Sequence, residues 1–119
     1  FFSALEMSQV EVLFRRAVKQ IQELPAEGPY QPSVEERLNF YSLFKQATEG
    51  PNKTKKPAFY DVVAKTKWDA WKKLGGMTKD QAMRKYIELY ARAARKINNE
   101  QSLNEAKEIE ALLKPTARL

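Results

Sequence analysis

The chain has 119 residues, 43% of them apolar, and a net charge of +6, which bounds it to one domain with a modest core. It contains no cysteine and no histidine, which excludes a disulfide framework, a thiolate nucleophile and a cysteine metal site, and removes the usual acid/base side chain at neutral pH. The basic balance favours an anionic partner: nucleic acid, an acidic membrane or a phosphorylated small molecule.

The opening FFSALEM lacks the basic start and long apolar run of a signal peptide, and no apolar run is long enough to cross a bilayer. The chain does not begin with Met. Met7-Ser8-Gln9 offers a natural start with six residues before it, unless the chain was cut from a longer one. Ser8 to Glu11 reads as a capping box, and Val10, Phe14, Ala17, Val18, Ile21 and Leu24 follow at helical spacing. A first helix is expected over 9–24, stopped by Pro25. Residues 25–32 hold three prolines and a glycine and read as a loop.

Ser33 to Glu36 is a second capping box, opening a helix through Thr48 that Gly50-Pro51 ends. The basic loop 50–58 follows, then a third helix beginning after Pro57 and running to Leu74, with Gly75-Gly76 closing it. Thr78 to Gln81 caps a fourth helix, whose apolar face holds Ala82, Met83, Tyr86, Ile87, Tyr90, Ala94 and Ile97. Asn98-Asn99 ends it. Ser102 to Glu105 caps a short fifth helix to Lys114, before Pro115. No segment shows strand-like alternation, so the expected class is all-α, a small antiparallel-type bundle.

Between residues 45 and 73, eight lysines face three carboxylates, a net +5 of the chain's +6, and both tryptophans lie in that stretch. Two of these lysines interrupt apolar faces. On a helical wheel, Phe40, Leu43 and Ala47 form one side of the second helix. Val34, Leu38, Tyr41, Phe44 and Thr48 form another, and Lys45 sits in its middle. In the third helix, taken from Tyr60, an arc of Tyr60, Val63, Ala64, Trp68, Trp71 and Leu74 includes Lys67. Either lysine alone would snorkel, its stem on apolar surface and its ammonium in water. Two of them flanking one basic loop favour a shared anion such as phosphate. Tyr41 reads equally well as a core ring with its hydroxyl at the edge or as a platform for an aromatic base. Tyr86, Trp68 and Trp71 read as core by default, and the lysines at 53–56 as a solvated loop.

The stretches Tyr41-Ser42-Leu43-Phe44-Lys45-Gln46-Ala47-Thr48, Lys67-Trp68-Asp69-Ala70-Trp71, and Ala82-Met83 followed by Tyr86-Ile87 resemble, in that order and spacing, the acyl-CoA-binding protein family. The likeness runs from about Phe14 to Ile97, and the loop at 25–32 is similar to that of longer-loop members, including peroxisome-linked multi-domain ones. The resemblance implies an acyl-CoA-binding domain over 8–98, a four-helix bundle of up-down-down-up order. Residues 99–119 would then be a partly helical C-terminal extension. It implies non-catalytic binding and carriage of medium- to long-chain acyl-CoA esters, with no cofactor beyond that ligand. It also implies that Tyr41 stacks on the adenine and that Lys45 and Lys67 meet the ribose 3′-phosphate. Tyr86 would line the site near the phosphates, and Leu38 and Trp68 would touch the acyl chain or its thioester end. Phe44 stands where the family often has a second tyrosine, a loss on the order of 1 kcal/mol for one hydrogen bond. Gln22 stands where many members have a basic residue.

A monomer at a cytoplasmic address is the default expectation, or a peroxisome-associated address if the chain comes from a longer parent. Two other readings compete. A basic helical DNA-binding domain similar to a high-mobility-group box would spread its charge along an outer surface with apolar wedges outward. An enzyme acting on acyl-CoA, such as an isomerase, would need a further domain. Nucleic acid is not the expected partner, because Lys45 and Lys67 interrupt apolar faces instead.

Overall fold

A computed structural model describes residues 7–114. The expectations on residues 1–6 and on Pro115 fall outside the described residues. Within them the chain is helical, with no strand: α1 (Gln9–Gln22), α2 (Val34–Glu49), α3 (Val62–Lys72), α4 (Lys79–Ile97) and α5 (Glu100–Leu113). The chain divides into two compact units. One runs from Pro32 to Lys85; the other gathers the described residues up to Gln31 and from Tyr86 onward.

The second of these units holds α1, most of α4 and α5. Ser8 caps α1, its hydroxyl accepting from the Glu11 N–H at 3.1 Å. The buried face of α1 is Val10, Leu13, Phe14 and Ala17. Leu13, absent from the expected stripe, is among its most buried residues, while Val18, Ile21 and Leu24 are only half-buried. The helix ends at Gln22, two residues short of expectation. The Glu23 N–H makes the last bond of helical span, to Lys19 O, and the Leu24 N–H turns back to Ile21 O at 3.4 Å; a residue before proline is disfavoured in the helical region. The loop that follows is closed by Gln31, whose Nε2 donates to the carbonyls of Pro25 and Gly28, both at 3.1 Å.

In α4, Tyr86, Ile87, Tyr90, Ala91, Ala93 and Ala94 are buried, and the Phe14 and Tyr86 rings meet edge to face at 5.1 Å. Asn98 takes a positive φ of 59° and reverses the chain into α5. The cap of α5 is Asn99, with Ser102 closing the capping box as the third helical residue. Ser102 therefore does not open the helix. An Asn side chain and a serine hydroxyl can each play either part, and the tight turn at Asn98 decides which. The fifth helix packs against its neighbours: Ala106 and Ile109 are buried, and Tyr90 donates to Glu105 at 2.5 Å. Ion pairs join Arg16 to Glu108 (3.3 Å) and Arg95 to Glu110 (2.5 Å).

The unit from Pro32 to Lys85 holds α2, α3 and the first two turns of α4. Ser33 and Glu36 form the expected reciprocal box at the start of α2, and Thr78 and Gln81 do the same before α4. Gly50 at φ 82° and Gly75 at φ 58° end α2 and the turn after α3, conformations in which a side chain would be strained. Helices α2 and α3 pack on one another. Phe40, Leu43, Ala47 and Trp71 are buried, as are the polar Ser42 and Gln46. Gln46 holds the segment after α3 by donating to Gly75 O (3.0 Å) and Met77 O (2.7 Å).

The third helix departs from expectation. Asp61 is its cap, accepting from the Ala64 N–H at 3.4 Å, so it starts at Val62 and Tyr60 lies in the turn before it. Tyr60 and Val63 are exposed, and Trp71 is the buried residue of the expected arc. The helical part ends at Lys72, and Leu74 continues into a turn whose N–H bonds Trp71 O.

Candidate functional site

About two turns of α2 carry the residues of interest. Leu38, Tyr41, Phe44 and Lys45 are all half-buried, and they form the second apolar face of that helix. The helical repeat fixes the grouping, since residues three and four apart share a face. The half-burial of this face follows from α3, which supplies rings and ammonium groups.

Lys67 of α3 places its Nζ 5.3 Å from the centre of the Tyr41 ring. Lys45, one turn after Tyr41, places its Nζ 4.9 Å from the Trp71 ring and pairs with Glu49 one turn further on. The two lysines that interrupt apolar faces therefore each sit on an aromatic ring of the facing helix. Such contacts contribute about 0.5–1 kcal/mol at exposed sites. Lys67 remains exposed and Lys45 is only 24% exposed, so the first is free to move toward a ligand and the second is held.

The loop between α2 and α3 is more than a solvated run of lysines. The Trp71 indole donates to Gly50 O at 2.9 Å, and the Trp68 indole donates to Thr54 O at 3.1 Å. Asn52, buried, accepts from the Thr54 N–H (2.9 Å) and hydroxyl (2.6 Å) and donates to Trp68 O (3.2 Å). Lys72 Nζ donates to Asn52 O at 3.2 Å. The ammonium groups of Lys56 and Lys72 lie 5.9 Å and 5.8 Å from the Trp68 ring. The loop backbone is thus pinned to α3 while Lys53, Lys55 and Lys56 stay exposed.

Of the residues singled out in the sequence, Leu38, Tyr41, Phe44, Lys45, Lys67 and Trp68 all belong to this helix pair and its loop. Tyr86 belongs to the other unit, buried against Phe14, and burial pushes its hydroxyl well above the ordinary phenol value. Sequence reading missed three participants. Glu49 has a signal, its position four residues after Lys45 on one helix face. Asn52 has a weaker one, the Asn-x-Thr spacing of a side-chain turn. Lys72, four residues after Trp68, was hidden among other lysines. Among the described residues no group of acidic side chains could hold a metal ion, and no helix is long and apolar enough to cross a membrane.

This arrangement offers a ring, two ammonium groups and apolar walls on one face, the complement of a flat base, a phosphate and a greasy chain. The family model described as acyl CoA binding protein matches residues 11–90. The chain is similar to acyl-CoA-binding domain-containing protein 5 of Bos taurus, 56% identical over 78 residues, which are 66% of this chain and 15% of that protein. It is 45% identical over 95 residues to acyl-CoA-binding domain-containing protein 4 of Homo sapiens, covering 80% of this chain and 35% of that one. The chain therefore spans about a sixth to a third of the length of these relatives. Among solved structures, a crystal structure of ACBP from Moniliophthora perniciosa superposes with a TM-score of 0.76 at 41% identity, covering 88% of this chain and 97% of that one. Acyl-CoA-binding protein 2 of Oryza sativa gives a TM-score of 0.58 at 33% identity, covering 83% and 96%. The helices of this chain are those of that bundle with a C-terminal helix added.

Proposed function

The chain belongs to the acyl-CoA-binding protein family, and from that premise we propose that it binds medium- to long-chain acyl-CoA esters without transforming them, as a monomer and without a resident cofactor. The observation that carries the reading is the Lys67 ammonium standing over the Tyr41 ring, with Lys45 one turn along the same half-buried face. Tyr41 would then stack on the adenine. Lys67 would swing from the ring to the 3′-phosphate, and Lys45 would exchange Glu49 for a phosphate oxygen. Leu38 and Trp68 would flank the thioester and the start of the acyl chain. Burying that chain contributes about 0.8 kcal/mol per methylene, so affinity rises with chain length until the apolar surface is used up. The phosphate contacts weaken as salt screens them. Carriage follows from binding alone: a detergent-like ester is held in a protected pool.

Calorimetry with palmitoyl-CoA tests the proposal. Tyr41→Ala and Lys67→Ala should each weaken binding at least about tenfold, or roughly 1.4 kcal/mol. Circular dichroism should show the helices retained. Unchanged affinity in both variants would overturn the assignment of the site. The family match and the relatives point away from the DNA-binding reading, and a duplex gel shift competed by palmitoyl-CoA separates the two directly.

A further inference from the structure

Four lysines of the α2–α3 pair and its loop stand against aromatic rings, and the binding reading uses two of them. Lys45 lies 4.9 Å from the centre of the Trp71 ring, and Lys67 lies 5.3 Å from that of Tyr41. Lys56 and Lys72 both stand at Trp68, at 5.9 Å and 5.8 Å, and have no part in that reading. The Trp68 ring is held in place by its N–H, which donates to Thr54 O at 3.1 Å. Lys72 meets it from one turn further along the same helix, with its Nζ donating to the carbonyl of buried Asn52 at 3.2 Å. Lys56 meets it from the loop. Both lysines are exposed, and neither pairs with a carboxylate among the described residues. Their neighbours are placed differently. Lys65 pairs with Asp69 at 3.0 Å, while Lys53, Lys55 and Lys73 are exposed and make no ring contact among the described residues.

We propose that Lys56 and Lys72 are acylation sites, where a bound acyl-CoA transfers its acyl group to a lysine amine. This rests on the reading above, in which Trp68 flanks the thioester. A group packed on the Trp68 ring lies about 4 Å from it. Rotation about the last torsions of a flexible lysine stem then brings Nζ to the thioester carbonyl. The ring contact that must be released is worth only about 0.5–1 kcal/mol at an exposed site. Holding amine and thioester in one complex, within reach of about 3–3.5 Å, replaces a chance collision. The ammonium first gives a proton to water. The neutral amine attacks the carbonyl carbon, the C–N bond forms and the C–S bond breaks. CoA leaves as a thiolate and takes up the proton that the attacking nitrogen sheds. The products are an amide, free CoA thiol and one proton in solvent. Lys45 and Lys67 face phosphate in the same complex and stay as ammonium groups. Each event consumes one lysine, so the reaction is stoichiometric and not a turnover. It removes a positive charge and a ring contact and leaves the acyl chain tethered beside Trp68.

Incubation of the chain with palmitoyl-CoA in mildly alkaline buffer, followed by mass spectrometry of its peptides, tests this. Palmitoyl-lysine is expected at Lys56 or Lys72 at least about tenfold above Lys53, Lys55 and Lys73, which are exposed lysines of the same stretch. The rate should level off as palmitoyl-CoA saturates the site. Hexadecyl-CoA, a thioether with no carbonyl to attack, should suppress it. Lys56→Arg/Lys72→Arg keeps both charges without the amines and should lower acylation to the level of Lys53. Acylation spread evenly over the exposed lysines, or found at Lys45 or Lys67 instead, overturns the proposal. So does a rate that climbs in proportion to palmitoyl-CoA and ignores the thioether. Calorimetry with hexadecyl-CoA separates the two levels. If the thioether binds and Lys56 and Lys72 stay free, this inference alone falls. If it does not bind, the binding reading falls and takes the inference with it.

Discussion

Glu49 competes with the proposed ligand for Lys45, and removing its charge should tighten binding. Glu49→Gln keeps the shape of the side chain and breaks the ion pair that holds Lys45 in place. An i, i+4 pair of this exposure is worth about 0.3–0.5 kcal/mol, which the ligand no longer has to displace. The carboxylate also repels any phosphate bound at Lys45. At about 8 Å in water that repulsion is roughly 0.5 kcal/mol per unit charge. Together these predict palmitoyl-CoA binding tighter by about 1 kcal/mol, or about fivefold, at low ionic strength. The gain should shrink as salt shortens the screening length from about 10 Å at 0.1 M to about 3 Å at 1 M. Glu35→Gln is the control: the same change of charge on the same helix, about 21 Å along its axis. Calorimetry of both variants over a salt series reads the difference. If Glu49→Gln binds no tighter than Glu35→Gln, then Lys45 does not exchange Glu49 for phosphate and the reasoning fails.

Asn52 is buried with three hydrogen bonds that tie the loop to α3. Asn52→Ala should cost about 3 kcal/mol at roughly 1 kcal/mol per net bond, and urea denaturation with amide exchange at Thr54 measures it. Unchanged stability would mean that the tryptophan indoles suffice to hold the loop. Burial, with the hydrogen bond to Glu105 next, raises the Tyr90 hydroxyl above its ordinary value. Because the folded value lies above the unfolded one, this contribution is full below about pH 10 and is lost as pH rises through the folded value. Tyr90→Phe should therefore be about 1–2 kcal/mol less stable at neutral pH, with the gap to the parent closing in alkali. A gap that stays constant through the alkaline limb of thermal unfolding curves would refute the link.

The sequence carried the helix starts at Ser8, Ser33 and Thr78, because a cap is a bond between a side chain and a backbone group three residues away. It also carried the odd position of Lys45 and Lys67, because a wheel needs nothing beyond the helical repeat. Order and spacing of the motifs around Tyr41, Lys67 and Tyr86 pointed to the family before any contact was known. What the rest of the chain had to decide was which partner each group meets. Whether Lys67 finds Tyr41 and whether Trp68 and Trp71 hold the loop are long-range facts, since the residues involved lie far apart in sequence. The same held for α5, where the sequence pointed to Ser102 as the cap and the chain, after its reversal at Asn98, uses Asn99. Local hydrogen bonding fixes where a helix begins; packing alone fixes which of its faces is left for a ligand.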